Sequence, residues 1–160
     1  MTDVQGHLRE LARVLVVEVC APGAEELARD SKVCYGIGRQ WGEMGLFGLP
    51  FPEDVGGQGC DFLSYCLAVE EISRADAGVG ITLEAAVSLG AAPIFNFGTA
   101  EQKRDLLLVL LAARKLWAFG LTEPDAGSDA GGTRTRAGPE HGDWVINGDK
   151  HALNNPGTER

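Results

Sequence analysis

Leu121-Thr122-Glu123-Pro124-Asp125-Ala126-Gly127-Ser128-Asp129-Ala130-Gly131 is a glycine-rich loop that follows directly on the apolar run Trp117 to Thr122, and it divides a chain of two textures. Before it, apolar residues recur at helical spacing; after it come short runs with strand character. Glycines at 120, 127, 131 and 132 permit close backbone approach and could aim several N–H groups at one anion. The loop is neither GxGxxG nor a P-loop, since no Gly-Lys-Ser/Thr follows, and its plainer reading is a turn between strands.

Upstream, Leu8, Leu11, Leu15 and Val19 form a stripe that predicts an amphipathic helix over residues 3–20, ended by Pro22-Gly23. A second helix is expected from Ala24 to Met44, bounded by Gly45, because Pro50 and Pro52 keep the following segment out of helix. Asp61 suits the N-cap of a third helix through Ser73, with Leu63, Leu67 and Glu70 on one side and Phe62, Cys66, Val69 and Ile72 widening the apolar face. A fourth helix follows Asp76 through small residues from Ala77 to Ala92, interrupted at Pro93. Thr99-Ala100-Glu101-Gln102 has the form of a capping box and starts a fifth helix to about Ala113, with Arg114 and Lys115 at its C-terminal end.

Downstream, Trp117 to Thr122 reads as a strand, Thr133-Arg134-Thr135-Arg136 can alternate faces, and Asp143 to Ile146 forms a further strand ending at Asn147-Gly148. Helices first and strands afterwards argue for an α+β chain: an all-α domain over residues 1–115, then the first strands of an incomplete β domain over 116–160. So few strands leave pairing edges and an apolar face uncovered.

Composition narrows the function classes. With 23 acidic against 14 basic side chains the formal charge is −9, which repels polyphosphate and excludes a nucleic-acid partner. Four cysteines at 20, 34, 60 and 66 form no CxxC and three histidines are scattered, so no metal site is expected and the thiols read as buried and free in a reducing compartment. Neither a basic start nor an apolar leader marks Met1 to His7, and the longest apolar run, Leu106 to Ala113, is too short for a membrane span; a cytoplasmic location is expected.

Single residues offer little catalytic chemistry. Ala126 and Ala130 occupy both glycine positions of GxSxG around Ser128, which disfavours a hydrolase nucleophile. His141 in a polar turn and His151 beside a lysine read as solvent-facing bystanders, and Glu70-Glu71 as a solvated helix edge. Trp41, Trp117 and Trp144 each read as core residues, with Trp117 close enough to the loop to approach a ligand.

The loop, together with Trp41-Gly42-Glu43-Met44-Gly45-Leu46, Glu70-Glu71-Ile72-Ser73-Arg74-Ala75-Asp76 and Trp144-Val145-Ile146-Asn147-Gly148-Asp149-Lys150, resembles the acyl-CoA dehydrogenase family. The resemblance implies an FAD flavoprotein of fatty acid metabolism that converts an acyl-CoA thioester to trans-2-enoyl-CoA, passing hydride to the flavin. By the same likeness Phe119, Gly120, Leu121, Thr122, Gly127, Ser128, Ala152, Leu153 and Asn154 would contact FAD, and Ser128 the acyl-CoA as well. Backbone donors near the flavin would stabilise the negative charge that arrives with hydride, without reorganising. Electron-transfer flavoprotein as acceptor and a homotetramer are further implications. The family's glutamate base lies in a C-terminal bundle, so no catalytic residue is assigned here and the chain is expected to be a truncated form, inactive alone.

Two departures from the family pattern stand out. At Lys150-His151-Ala152-Leu153-Asn154-Asn155, Ala152 replaces an aromatic residue that shields the flavin and Asn154 replaces a hydroxyl residue; Leu107-Leu108-Val109-Leu110 lacks the usual proline and predicts a longer fifth helix. The alternatives are an acyl-CoA oxidase or flavin monooxygenase on the same scaffold, or a non-catalytic helical module that binds a partner through exposed apolar surface.

Overall fold

The computed structural model describes residues 1–16, 18, 35–115 and 117–153. The end of the first helix at Pro22-Gly23, the start of the second, Cys20, Cys34 and Asn154 lie outside them. The architecture is α+β, mostly helical with one small antiparallel sheet, and the chain separates into two compact units, Met1–Lys115 and Leu116–Arg160.

The first unit contains α1 (Asp3–Leu15), α2 (Tyr35–Glu43), α3 (Phe62–Ala75), α4 (Ala77–Phe97) and α5, which runs through Ala100–Gln102, Lys103–Leu107 and Leu108–Leu111. Helix starts follow from local polar chemistry. Asp61 accepts from the Ser64 N–H at 2.7 Å, Asp76 from the Val79 N–H at 3.0 Å, and Thr99 and Gln102 form the reciprocal capping box expected of them. Thr2 and Gln5 form a second box at the start of α1. Each cap satisfies N–H groups that the first helical turn would otherwise leave without partners.

α4 departs from expectation at Pro93, where the helix continues to Phe97 instead of stopping. A π turn over Ala86–Ala91 has already loosened the backbone ladder, so proline enters at the first turn of the following α stretch, where its missing N–H costs little. At 21 residues and a mean hydropathy of 1.5, α4 is long and apolar enough to cross a membrane by length and composition; a reading confined to unbroken apolar runs passes over it. Its inward side, Gly80, Leu83, Val87, Gly90 and Ala91, is buried within the helical unit. α5, without a proline, is continuous to Leu111.

Trp41, Ile72, Leu83 and Leu107 are the large apolar side chains most completely enclosed, each worth roughly 1.5–3 kcal/mol of burial. Trp41 meets Phe47 with ring centroids 6.2 Å apart, and Phe51 meets Phe95 edge-on at 5.4 Å. The segment between α2 and α3 turns at Gly45 (φ +75°) and folds onto itself: the N–H groups of Gln58, Gly59 and Cys60 donate to the carbonyls of Gly48, Phe51 and Leu49.

The buried face of α3 is Ser64, Tyr65, Ala68, Glu71 and Ile72; of the residues expected on its apolar face only Ile72 is fully buried, with Leu67 and Val69 half-buried. Phe62, Leu63 and Cys66 are exposed. Small Ser64 and Ala68 permit close helix approach, and Glu71 is fixed inward by three guanidiniums, so these residues set the rotation. Glu71 is therefore no solvated edge: its carboxylate accepts from Arg9 at 2.6 Å, from both Nε and Nη2 of Arg13 at 3.2 Å, and from Arg74 at 3.2 Å. Cys60 is half-buried, so neither described thiol has the full burial expected of it.

The second unit contains β1 (Arg136–Glu140) and β2 (Asp143–Asn147), paired antiparallel in the register Arg136↔Asn147 to Glu140↔Asp143. His141 and Gly142 join them with φ of 52° and 94°, the two positive angles that match the twist of a tight hairpin. Trp117 to Thr122 is not a strand among the described residues, because it runs alongside no ladder; the His151 N–H donates to the Thr122 carbonyl at 2.7 Å. Trp144 is 71% exposed and so leaves the set of core tryptophans.

The loop between α2 and α3 yields a stability test. A Cβ at Gly57 would run into the Phe51 carbonyl, whereas one at Gly38, inside α2, meets nothing within 4 Å. Gly57→Ala should destabilise the chain by about 1–3 kcal/mol, and Gly38→Ala should stabilise it by about 0.5–1 kcal/mol, in urea unfolding followed by circular dichroism. Equal effects of the two substitutions would contradict the packing described.

Candidate functional site

The loop after Thr122 is organised by one side chain. The Glu123 backbone pairs with Ala126 in both directions, N–H to carbonyl at 3.0 Å and 3.2 Å, which closes a tight turn through Pro124 and Asp125. Its carboxylate is buried. Oε2 accepts the Arg134 N–H at 2.6 Å, and Oε1 accepts the Thr135 N–H at 3.0 Å and Lys150 Nζ at 2.7 Å.

Arg134 and Thr135 immediately precede β1, and Lys150 lies just beyond β2, so Glu123 gathers both ends of the hairpin. Lys150 Nζ also donates to the Leu121 carbonyl at 3.0 Å, and the Arg134 guanidinium reaches Asp125 at 3.3 Å. The Lys150 ammonium first, then groups of Thr135 and Arg134, hold the Glu123 carboxyl well below the usual carboxylate range.

Against this frame the expected residues fall into two groups. Gly120, Leu121 and Thr122 lie beside Lys150 to Leu153: a Cβ on Gly120 would come within 2.5 Å of Leu153 Cδ2, and Lys150 and His151 bond the carbonyls of Leu121 and Thr122. Phe119 is half-buried just before them, Leu153 is half-exposed, and Ala152 is exposed in the left-handed region at φ 53°. Gly127 and Ser128 sit apart from these at the loop tip and are exposed.

The tip offers donors. Among the described residues the backbone N–H groups of Gly127, Ser128 and Asp129 and the hydroxyls of Thr122 and Ser128 have no hydrogen-bond partner. A short 3-10 turn, Ala130–Gly132, follows and returns the chain toward β1. The arrangement can therefore present neutral backbone and hydroxyl donors to an acceptor-rich ligand, while Glu123 is paired with Lys150 and Asp125 with Arg134.

Sequence reasoning missed Glu123 and Lys150 as organisers. The available signal was an acid between Thr122 and Pro124, answered by a lysine beyond the Asn147-Gly148 end of a strand. Nothing local indicates that they meet, 27 residues apart.

Residues 2–133 match the family described as acyl-CoA dehydrogenase, N-terminal domain. The chain belongs to the acyl-CoA dehydrogenase family. It is 44% identical over 160 residues to a probable acyl-CoA dehydrogenase of Bacillus subtilis, covering 100% of this chain and 42% of that protein. The solved structure of butyryl-CoA dehydrogenase from Megasphaera elsdenii superposes with a TM-score of 0.88 at 42% identity, over 98% of this chain and 42% of that one. An acyl-CoA dehydrogenase from Bacillus anthracis, solved in complex with FAD, gives a TM-score of 0.83 at 34% identity, over 97% of this chain and 27% of the other. The chain thus spans less than half the length of these relatives.

The staple at Glu123 predicts a local change on its removal. In Glu123→Gln, hydrogen exchange at the Arg134 and Thr135 amides should accelerate at least about tenfold, while amides paired between β1 and β2 change little. In the unmodified chain the same two amide resonances should stay constant as pH falls through 4.5 and shift together only well below it, because the folded carboxyl is held charged. Resonances that titrate near the ordinary carboxylate value would remove Glu123 from this role.

Proposed function

We propose that this chain forms part of an FAD-dependent acyl-CoA dehydrogenase, an oxidoreductase of fatty acid metabolism that converts an acyl-CoA thioester to trans-2-enoyl-CoA. The observation that carries this reading is the stapled loop, which holds unpartnered donors at Gly127 and Ser128 at its tip and a further one, the Thr122 hydroxyl, at its start. Family membership and the FAD-bound relative support it.

The residues present suit a flavin. Donors without partners at the loop tip match an acceptor-rich ring edge or phosphate, and Gly120 lets Leu153 and Lys150 approach the backbone where a Cβ would clash. Phe119, Gly120, Leu121, Thr122, Gly127, Ser128, Ala152, Leu153 and Asn154 are assigned to FAD, and Ser128 also to the thioester side of the substrate. Ala152 covers little of a ring, so the flavin is held by the donors more than by stacking on this side. When bound, FAD supplies the hydride acceptor; the chain's own contribution is to orient it and to present neutral donors where negative charge develops. None of the residues is assigned as the base that removes the α-proton.

Electron-transfer flavoprotein is the proposed electron acceptor, a homotetramer the proposed assembly and the cytoplasm the proposed location. Titrating the chain with FAD, followed by flavin fluorescence anisotropy, tests the reading. Gly127→Val should weaken binding at least about tenfold by placing a branched side chain at the tip, with Gly138→Ala, which meets nothing within 4 Å, as the neutral control. Equal affinity in all three would remove the loop from the flavin site. Anaerobic addition of butyryl-CoA should leave the flavin yellow; bleaching would place the base within these residues.

A further inference from the structure

The contact between α1 and α3 is unusual in what it buries. α1 offers Gln5, Ala12, Leu15 and the adjoining Val16 to the interior, while Val4, Leu11 and Val14 remain exposed. The apolar part of the contact is Ala12, Leu15 and Val16, with Leu8 half-buried beside them. The polar part is extensive: Gln5 donates to Asp61 at 2.9 Å, and Arg9 and Arg13 supply three of the four bonds that Glu71 receives, with Arg74 of α3 supplying the other.

Glu71 is 2% exposed, whereas Arg9, Arg13 and Arg74 are 33%, 44% and 61% exposed. The carboxylate is thus the one member that must be paired to stay buried, and the arginines can return to water at small cost. α1 also carries its own capping box, so its helical form does not depend entirely on docking. Ala12, Leu15 and Val16 are buried with the core of the first unit, but its largest fully enclosed apolar side chains, Trp41, Ile72, Leu83 and Leu107, all come from other segments.

We propose that α1 is a strap latched to α3 by the charge of Glu71, so that loss of that charge releases α1 while α3, α4 and α5 stay folded. The charged groups around the latch are Arg9, Arg13 and Glu10 on α1, and Asp61, Glu70 and Arg74 at or on α3; Glu70 and Glu10 pair at its rim with Arg9 and Arg13. Release uncovers the strip Ser64, Ala68 and Glu71 on α3 and frees the inner side of α1, creating a surface absent from the latched form.

Hydrogen exchange of the full chain tests the latch. In Glu71→Gln, amides within α1 should exchange at least about tenfold faster while those of Leu83 to Ala91 in α4 keep their rates; the double variant Arg9→Gln/Arg13→Gln should act the same way. Acid provides a third route. Hydrogen bonds from Arg13 and then Arg9 hold the Glu71 carboxyl down to about 2, so the latch is complete above the ordinary carboxylate value near 4.5 and weakens as pH falls toward 2. Equal acceleration of α1 and α4 in either variant would show a single cooperative unit and overturn the proposal, as would unchanged rates in α1.

Discussion

A carboxylate withdrawn from water must have its oxygens filled with donors, and this constraint shapes both units of the chain. In the first, Glu71 is buried in a helix interface and draws guanidiniums from α1 and from its own helix, thereby fixing the rotation of α3 and the place of α1. In the second, Glu123 is buried under a loop and draws two backbone N–H groups and an ammonium from either end of a hairpin. Each acid decides the geometry of the segments around it.

What was legible in the sequence was local. Asp61, Asp76 and the Thr99 box mark helix starts because a cap and its N–H partner lie within three residues of one another. Gly45 marks the end of α2 for the same reason, its positive φ being a property of one residue. The order of helices before strands needed only composition and spacing.

What was illegible was long-range. Glu70 and Glu71 are adjacent and chemically alike, and only the arrival of Arg9 and Arg13 from about 60 positions away makes one exposed and the other buried. The apolar pattern of α3 placed Ile72 correctly but Phe62 and Leu63 wrongly, because these point outward while Ser64, Ala68 and Glu71 join Tyr65 and Ile72 inside. Pro93 misled in the other direction: a stop signal is neutralised by a π turn that no periodicity announces. In the second unit the glycine-rich turn was legible, but the buried Glu123–Lys150 pair that holds it was not.

The hairpin brings these strands of argument together. Two strands alone are marginal in water, and here Trp144, Val145 and Ile146 are all exposed, so burial in this unit does little to hold β1 on β2. Glu123 supplies the constraint instead, tying the residues before β1 to the lysine after β2 and so closing the hairpin at its base. Closing a loop at its base limits the separation of its ends whatever its tip does, which lowers the entropy that ordering must overcome. The donors at Gly127 and Ser128 hang from the same carboxylate through the Glu123–Ala126 turn. Their position is therefore governed by a polar staple that forms within this unit, and the apolar faces of the strands remain available to a covering layer without that layer being needed to shape the loop.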